Sequence, residues 1–286
     1  MDNLKAKKRH PEEIAVYSAI YVCAAFSVLL LLGIIVYVFA KGARRVNWAF
    51  LTGVTSILHG TVGIAGNILN TLIIILLTMI ITTPTGVGAA IYLNEYAKPG
   101  KLVTVIIFAT ETLAGIPSII FGLFGMLFFG QLCHMGYSLL TGSLTLTLMV
   151  LPLVTRNTQE ALKTVPDSFR TGAVGLGAGK WYTIRTILLP SAMPGIVTGV
   201  ILAIGRIIGE SAALLFTAGS AHLLPKTFDA FLEKIFHSGG TLTIQLYLSA
   251  SKGEFEVAFG IAVVLLVIVL LINFGTKRLA KKLEKH

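Results

Sequence analysis

Charge is what this sequence has least of. Only 13% of its 286 residues are Asp, Glu, Lys or Arg, against 55% hydrophobic, and the mean hydropathy is +0.84. Soluble globular chains carry roughly a quarter charged residues, so that class is excluded, and with it a large soluble domain that could house an independent active site. Cysteine is almost missing. Cys23 lies inside the first apolar run and Cys133 near the end of the third, which supports neither a disulfide framework nor a metal site. No Gly-x-x-x-x-Gly-Lys-Ser/Thr loop occurs, so ATP is not bound by that mechanism. His59, His134, His222 and His237 are scattered, and no Cys/His cluster has ligand spacing. A membrane protease would need a serine and a histidine on adjacent spans, for which Ser118 and His134 are the available pair.

Acidic residues are also scarce, 13 against 23 basic ones, giving a net charge of +10. The distribution of that excess points to topology rather than to nucleic acid. Lys5, Lys7, Lys8 and Arg9, Lys98 and Lys101, the basic residues of the 156–185 stretch, and Lys277 to Lys285 fall on one side of a six-span arrangement, with Arg206 left within a span. Lys41, Arg44, Arg45, Lys226, Lys234 and Lys252 fall on the other. The richer side is cytoplasmic by the positive-inside rule, and both termini belong to it.

What the chain does have is apolar runs, several longer than the 18 or so residues that mark a membrane helix. The expected fold is an all-α membrane protein of six spans. Residues 1–13 form a basic tail. Residues 14–63 hold a first span (14–40) and an external segment in which Trp48 and Phe50 sit at the interface. Residues 64–276 form the main bundle, and 277–286 a second basic tail. The second span, 66–92, is interrupted by Pro84, Gly86 and Gly88. The third, 102–129, contains Glu111 and then Gly115-Ile116-Pro117-Ser118. A carboxyl at membrane depth is protonated, paired or wet, so Glu111 faces protein or water. Gly122 and Gly125 permit close helix contact. The fourth span covers 138–155. The fifth, 191–218, carries Gly195 and Gly199, then Gly205 and Gly209, at helix-contact spacing. The sixth covers 255–274.

Arg206 and Glu210 are four apart, on one face near the middle of the fifth span. Two readings stand. They form an ion pair that fixes helix packing, or Arg206 lowers the barrier for an anion while Glu210 keeps that anion from being trapped.

The stretch from Gln159 to Pro190 is a charged island between apolar segments, with Glu160, Lys163, Asp167, Arg170, Lys180 and Arg185. Such a stretch does not span lipid. Pro166 and Asp167 suit a helix start, a second helical piece runs from Gly179 to Leu188, and the intervening glycines allow a sharp bend.

This island resembles the cytoplasmic coupling loop of ABC importer permeases. There a Glu-Ala-Ala triplet, three residues, a glycine, nine residues and Ile-x-Leu-Pro follow in order. Here Gly177 and Ile187-Leu188-Leu189-Pro190 match in register, and Thr171-Gly172-Ala173 occupies the triplet, departing at its acidic residue and first alanine. The resemblance sharpens through Thr83-Pro84-Thr85-Gly86-Val87-Gly88-Ala89-Ala90-Ile91-Tyr92-Leu93-Asn94-Glu95-Tyr96, Gly115 to Gly122, Thr164-Val165-Pro166 and Arg206-Ile207-Ile208-Gly209-Glu210. These are similar to the PstA-type permease subunits of phosphate ABC importers, over roughly residues 65–275. The resemblance implies a type I permease bundle, not an enzyme, in the bacterial cytoplasmic membrane. It further implies no cofactor on this chain, with ATP and Mg held by a partner ATPase. The implied partners are a PstC-like sibling permease, a PstB-like ATPase pair, an extracytoplasmic PstS-like phosphate-binding protein and membrane lipid. Thr171, Gly172, Ala173, Gly177, Ile187, Leu189 and Pro190 would couple to the ATPase, and Arg206 and Glu210 would lie on the route, with Glu111 a third candidate there. Permeases for phosphonate or molybdate, and an ion-coupled secondary transporter, remain alternatives. Inverted repeats of the kind many secondary transporters show are not clear in the sequence.

Overall fold

A computed structural model describes residues 11–56, 61–225 and 227–283. Most of the basic amino-terminal tail, His59, Lys226 and the last three residues lie outside the described residues. The chain is helical almost throughout. α1 (Pro11–Gly42) ends in a 3-10 turn, Ala43–Arg45, and leads to the short α2 (Trp48–Thr52). The Asn47 side chain caps α2 by accepting the Phe50 N–H. β1 (Val54–Ser56) and β2 (Thr61–Ile64) form an antiparallel hairpin. α3 (Ala65–Ile91) runs into a π turn, Tyr92–Tyr96. α4 (Lys101–Gly115) and α5 (Ser118–Gly125) follow, the latter extended by a π turn, Met126–Leu132. Then come α6 (Leu139–Lys163), α7 (Asp167–Gly175), α8 (Lys180–Thr183), a π turn at Ile184–Leu188 and α9 (Leu189–Gly209). The short α10 (Ala212–Thr217), α11 (Phe228–Glu233) and α12 (Leu242–Ser251) precede the long α13 (Phe255–Leu283).

Among the described residues five helices are long and apolar enough to cross a membrane, and α4 with the α5 segment would make a sixth crossing if that bent pair counts as one. Packing decides the matter. α3 and α6 are neighbours whose contacts advance together. Asn70 and Leu139 both flank Gly239, the Thr78 hydroxyl reaches the Ser143 carbonyl at 3.4 Å, Gly86 abuts Val154, and Ile91 packs with Ala161 and Leu162. The two helices are therefore parallel. A chain that leaves the foot of one and enters the head of the other must cross once between them, so the bent pair is a single crossing and the total is six.

That third crossing corrects the expectation of one continuous helix over 102–129, since its two halves meet at 104°. The residue before a proline is driven out of the α region, and Ile116, just before Pro117, is extended at φ −73° and ψ 132°. The second span, expected to be interrupted at Pro84, instead remains one helix. The Thr85 hydroxyl donates to the carbonyls of Ile81 and Thr82 on the preceding turn. Phe50 is also corrected. It is 2% exposed, packed with Ile64, Leu242, Val257 and Ile261, whereas Trp48 remains 78% exposed.

α9 lies antiparallel to α6. Gly195 meets Ala161 and Gly199 meets Asn157, and a Cβ on either glycine would come within 2.7 Å of that neighbour. Small residues are what let membrane helices approach this closely. Gly122 against Ala213 and Gly125 against Thr145 and Thr217 do the same for α5. The interior between these helices is threaded with threonine and serine, whose hydroxyls return to their own helix: Ser143 to Leu139, Thr145 to Thr141, Thr147 to Ser143. α1 buries none of its apolar window and touches the bundle at its end, where Tyr37 meets Phe259 edge-on.

Candidate functional site

Three places carry the polar residues singled out above, and the structure keeps them apart. The first is the loop between α6 and α9. Pro166 precedes α7, Asp167 stands in its first turn, and Gly177 takes φ +80°, a conformation that favours glycine and turns the chain into α8. Thr171 is exposed, its hydroxyl donating to the Asp167 and Ser168 carbonyls. A Cβ on Gly172 would meet nothing within 4 Å, while Ala173 is buried. Ile187 lies in the π turn, and Leu189 and Pro190 open α9. At the tip, Leu176 is 91% exposed, and Val174, Trp181 and Tyr182 stand out beside it. Large apolar side chains gathered on a surface outside the spans mark a contact site for another protein.

What holds this loop to the bundle was not legible in the sequence. All five guanidinium donors of Arg170 are used. Nε and Nη2 donate to Glu95 Oε1 at 3.2 and 2.8 Å, Nη2 to the Leu162 carbonyl at 3.1 Å, and Nη1 to the Val165 carbonyl and Asp167 Oδ1 at 3.0 Å each. Leu162 lies in the last turn of α6, where carbonyls lack helical partners, so Arg170 caps α6 while gripping the π turn that ends α3. The hydrogen bond it donates to Glu95 raises the Arg170 pKa further above its ordinary value, against the opposing effect of burial. Asn94 Nδ2 donates to the same Glu95 oxygen, and the Lys180 ammonium sits 4.7 Å from the centre of the Tyr96 ring. Glu95 and Arg170 are 75 residues apart, and no spacing rule links them.

The second place is a break in the fifth crossing. The register of α9 on α6 continues into α10, where Leu214 and Ala218 flank Gly142. Residues 189–217 thus make one crossing, as expected, but it is interrupted at Glu210 and Ser211. Glu210 leaves the helix at φ −82° and ψ 123°. This corrects the reading that Arg206 and Glu210 share one helix face as an ion pair. Among the described residues no ion pair joins them, because the Glu210 carboxylate turns to accept the Ala213 N–H at 3.0 Å. Thr243, at the start of α12, donates its hydroxyl to the Glu210 carbonyl. Arg206 is exposed in the last turn of α9, where the helix dipole favours a cation. A cavity of about 210 Å³ lies beside the break, lined by Ser211, Ala212, Leu215, Ile119 and Tyr247 among others.

The third place is around Glu111. It lies on α4, away from Arg206, and lines a cavity of about 200 Å³ with Thr110, Arg156, Gln159, Glu160 and Lys163. Arg156 pairs with Glu160 at 3.2 Å across an exposed helix turn.

A six-crossing bundle with a broken intramembrane helix and a rooted, apolar-tipped loop on one face defines the integral membrane component of a transporter. Residues 82–286 match the family described as "Binding-protein-dependent transport system inner membrane component". The chain belongs to that family, the permease subunits of ABC importers, which are not enzymes. It is 35% identical over 273 residues to the "Probable ABC transporter permease protein YqgI" of Bacillus subtilis (strain 168), covering 92% of this chain and 93% of that one. It is 34% identical over 244 residues to the "Phosphate transport system permease protein PstA" of Xylella fastidiosa (strain Temecula1 / ATCC 700964), covering 84% and 82%. The fold is shared with the bacterial alginate ABC transporter in complex with its periplasmic protein, at TM-score 0.71 and 13% identity over 96% of both chains. The MetNI methionine ABC transporter gives TM-score 0.57 at 21% identity, over 77% of this chain and 94% of that one.

Proposed function

We propose that this chain is a permease subunit of an ATP-driven importer of inorganic phosphate. The observation that carries the reading is the loop, apolar and exposed at Leu176 and Trp181 yet fastened at Arg170 to the ends of two parallel crossings. A motor docking on that tip has a stiff path into the bundle. The relatives named as phosphate permeases support the substrate. ATP and Mg belong to a PstB-like ATPase pair on the loop side, which is the cytoplasmic face and carries both termini. The division into a basic tail (1–13), a peripheral first helix with external segment (14–63), a permease domain (64–276) and a final tail (277–286) goes with this reading.

An arginine facing hydrocarbon costs about 3 kcal/mol or more. The exposed Arg206 face is therefore covered in the complex, by a PstC-like sibling permease or by the aqueous route between the two. Gly205 and Gly209, with nothing within 4 Å of a Cβ, stand on the same helix. A PstS-like binding protein docks on the opposite side, at 41–63 and 219–254.

The test is uptake of labelled phosphate into vesicles that hold the reconstituted complex, with and without ATP. Accumulation should need ATP and the binding protein. Accumulation without a nucleotide-driven partner would make this a secondary transporter. Uptake outcompeted by phosphonate or molybdate through the loaded binding protein would reassign the anion.

A further inference from the structure

We propose that the Arg170–Glu95 contact is the joint through which the loop drives α3, making Glu95 a positioning residue for transport. The inference rests on the permease reading above. The loop is already tied by the chain itself to α6, through Thr164, and to α9, through the Ile184–Leu188 π turn. α3 has no such covalent tie. Its end is held to the loop by side chains, Glu95 to Arg170 on α7 and Tyr96 to Lys180 at the start of the helix that runs on into α9.

The geometry suits a joint that transmits force. The Glu95 side chain is 9% exposed and that of Arg170 is 23%, so the pair is shielded from the screening that weakens surface ion pairs. A planar guanidinium whose five donors are all engaged cannot pivot without breaking several bonds at once. The contact is also placed where it matters. α3 is packed along its length on α6, and at its far end Asn67 and Asn70 donate to the carbonyls of Gly240 and Ala221 while the Thr71 hydroxyl accepts the Leu242 N–H. A displacement at Glu95 thus reaches the segment that closes the outer end of the bundle. The Asp167 arm of Arg170 adds little to this, because that carboxylate is 92% exposed and belongs to the loop itself.

The experiment compares the full reconstituted complex with Glu95→Gln and Glu95→Ala variants, reading ATP hydrolysis and phosphate uptake together. Uptake per ATP hydrolysed should fall by about tenfold or more, the order for loss of one shielded charge-assisted contact, while hydrolysis persists. Glu95→Asp should restore part of it. A second readout needs no substrate. With Cys23 and Cys133 replaced by serine, a fluorophore on Lys98→Cys at the foot of α3 and another on Ser168→Cys, exposed on α7, report ATP-driven movement. In the Glu95→Ala background the Ser168 label should still respond and the Lys98 label should not. An unchanged uptake-to-hydrolysis ratio, or a Lys98 label that responds as in the parent, overturns the proposal. A parent complex that fails to take up phosphate while both labels respond overturns the phosphate reading and leaves the joint standing.

Discussion

Glu210 Oε1 accepts the backbone N–H of Ala213 at 3.0 Å, so a carboxylate at the break caps the short helix that completes the fifth crossing. Replacing it with alanine removes that acceptor and should cost about 1 kcal/mol, as loss of a capping side chain does. Glu210→Gln keeps an oxygen for Ala213. If the charge also serves the anion route, Glu210→Gln will change the rate of phosphate uptake while leaving the thermal unfolding of the purified subunit at its parent midpoint.

Arg206 makes no hydrogen bond or ion pair among the described residues. Neutralising it as Arg206→Gln should abolish phosphate uptake while membrane insertion and co-purification with the ATPase stay intact. Uptake that persists would remove this residue from the pathway.

Gly195 sits on Ala161, and a Cβ there would lie 2.5 Å from the alanine methyl. Gly195→Val should push α9 from α6 and destabilise the subunit by about 1–3 kcal/mol, the usual range for overpacking. Gly205→Val on the same helix meets open space within the chain and should leave the isolated subunit's unfolding temperature nearly unchanged.

Gly177 turns the chain between α7 and α8 at φ +80°. Gly177→Ala should cost about 1–2 kcal/mol locally, the penalty a Cβ brings to a left-handed residue. Faster protease cleavage of the loop would report it, with Gly172→Ala as the silent control because that site is open.

Lys234, in the 3-10 turn that follows α11, is 7% exposed and donates to the Leu223 carbonyl. Burial holds its pKa below the ordinary lysine value of 10.5. Between the lowered value and 10.5 the unfolded chain binds more protons than the folded one, so stability rises with pH through that window. Resistance of the 219–240 segment to proteolysis should increase as pH is raised towards 10.5. Lys234→Met should flatten that dependence.

Membrane class, six crossings and the helix that starts after Pro166 follow from the sequence alone, because each depends on local quantities, whereas the second helical piece expected over Gly179 to Leu188 is the start of a helix that runs on unbroken to Gly209. Apolar run length sets the spans, and Pro166, Gly177 and the Ile-x-Leu-Pro end set the loop. The positions of Thr171 to Pro190 were legible for the same reason. Which polar residues meet was decided only by tertiary structure. Helical spacing placed Arg206 and Glu210 together on the assumption that the helix continues. The chain instead breaks at Glu210, where Thr243 binds its carbonyl and Ala213 its carboxylate. Glu95 and Arg170 meet because α3 and α6 are packed in parallel and end at one level, and that level is fixed by glycines and threonines along their shared face. Pairing across such a distance is a consequence of packing, and no local pattern encodes it.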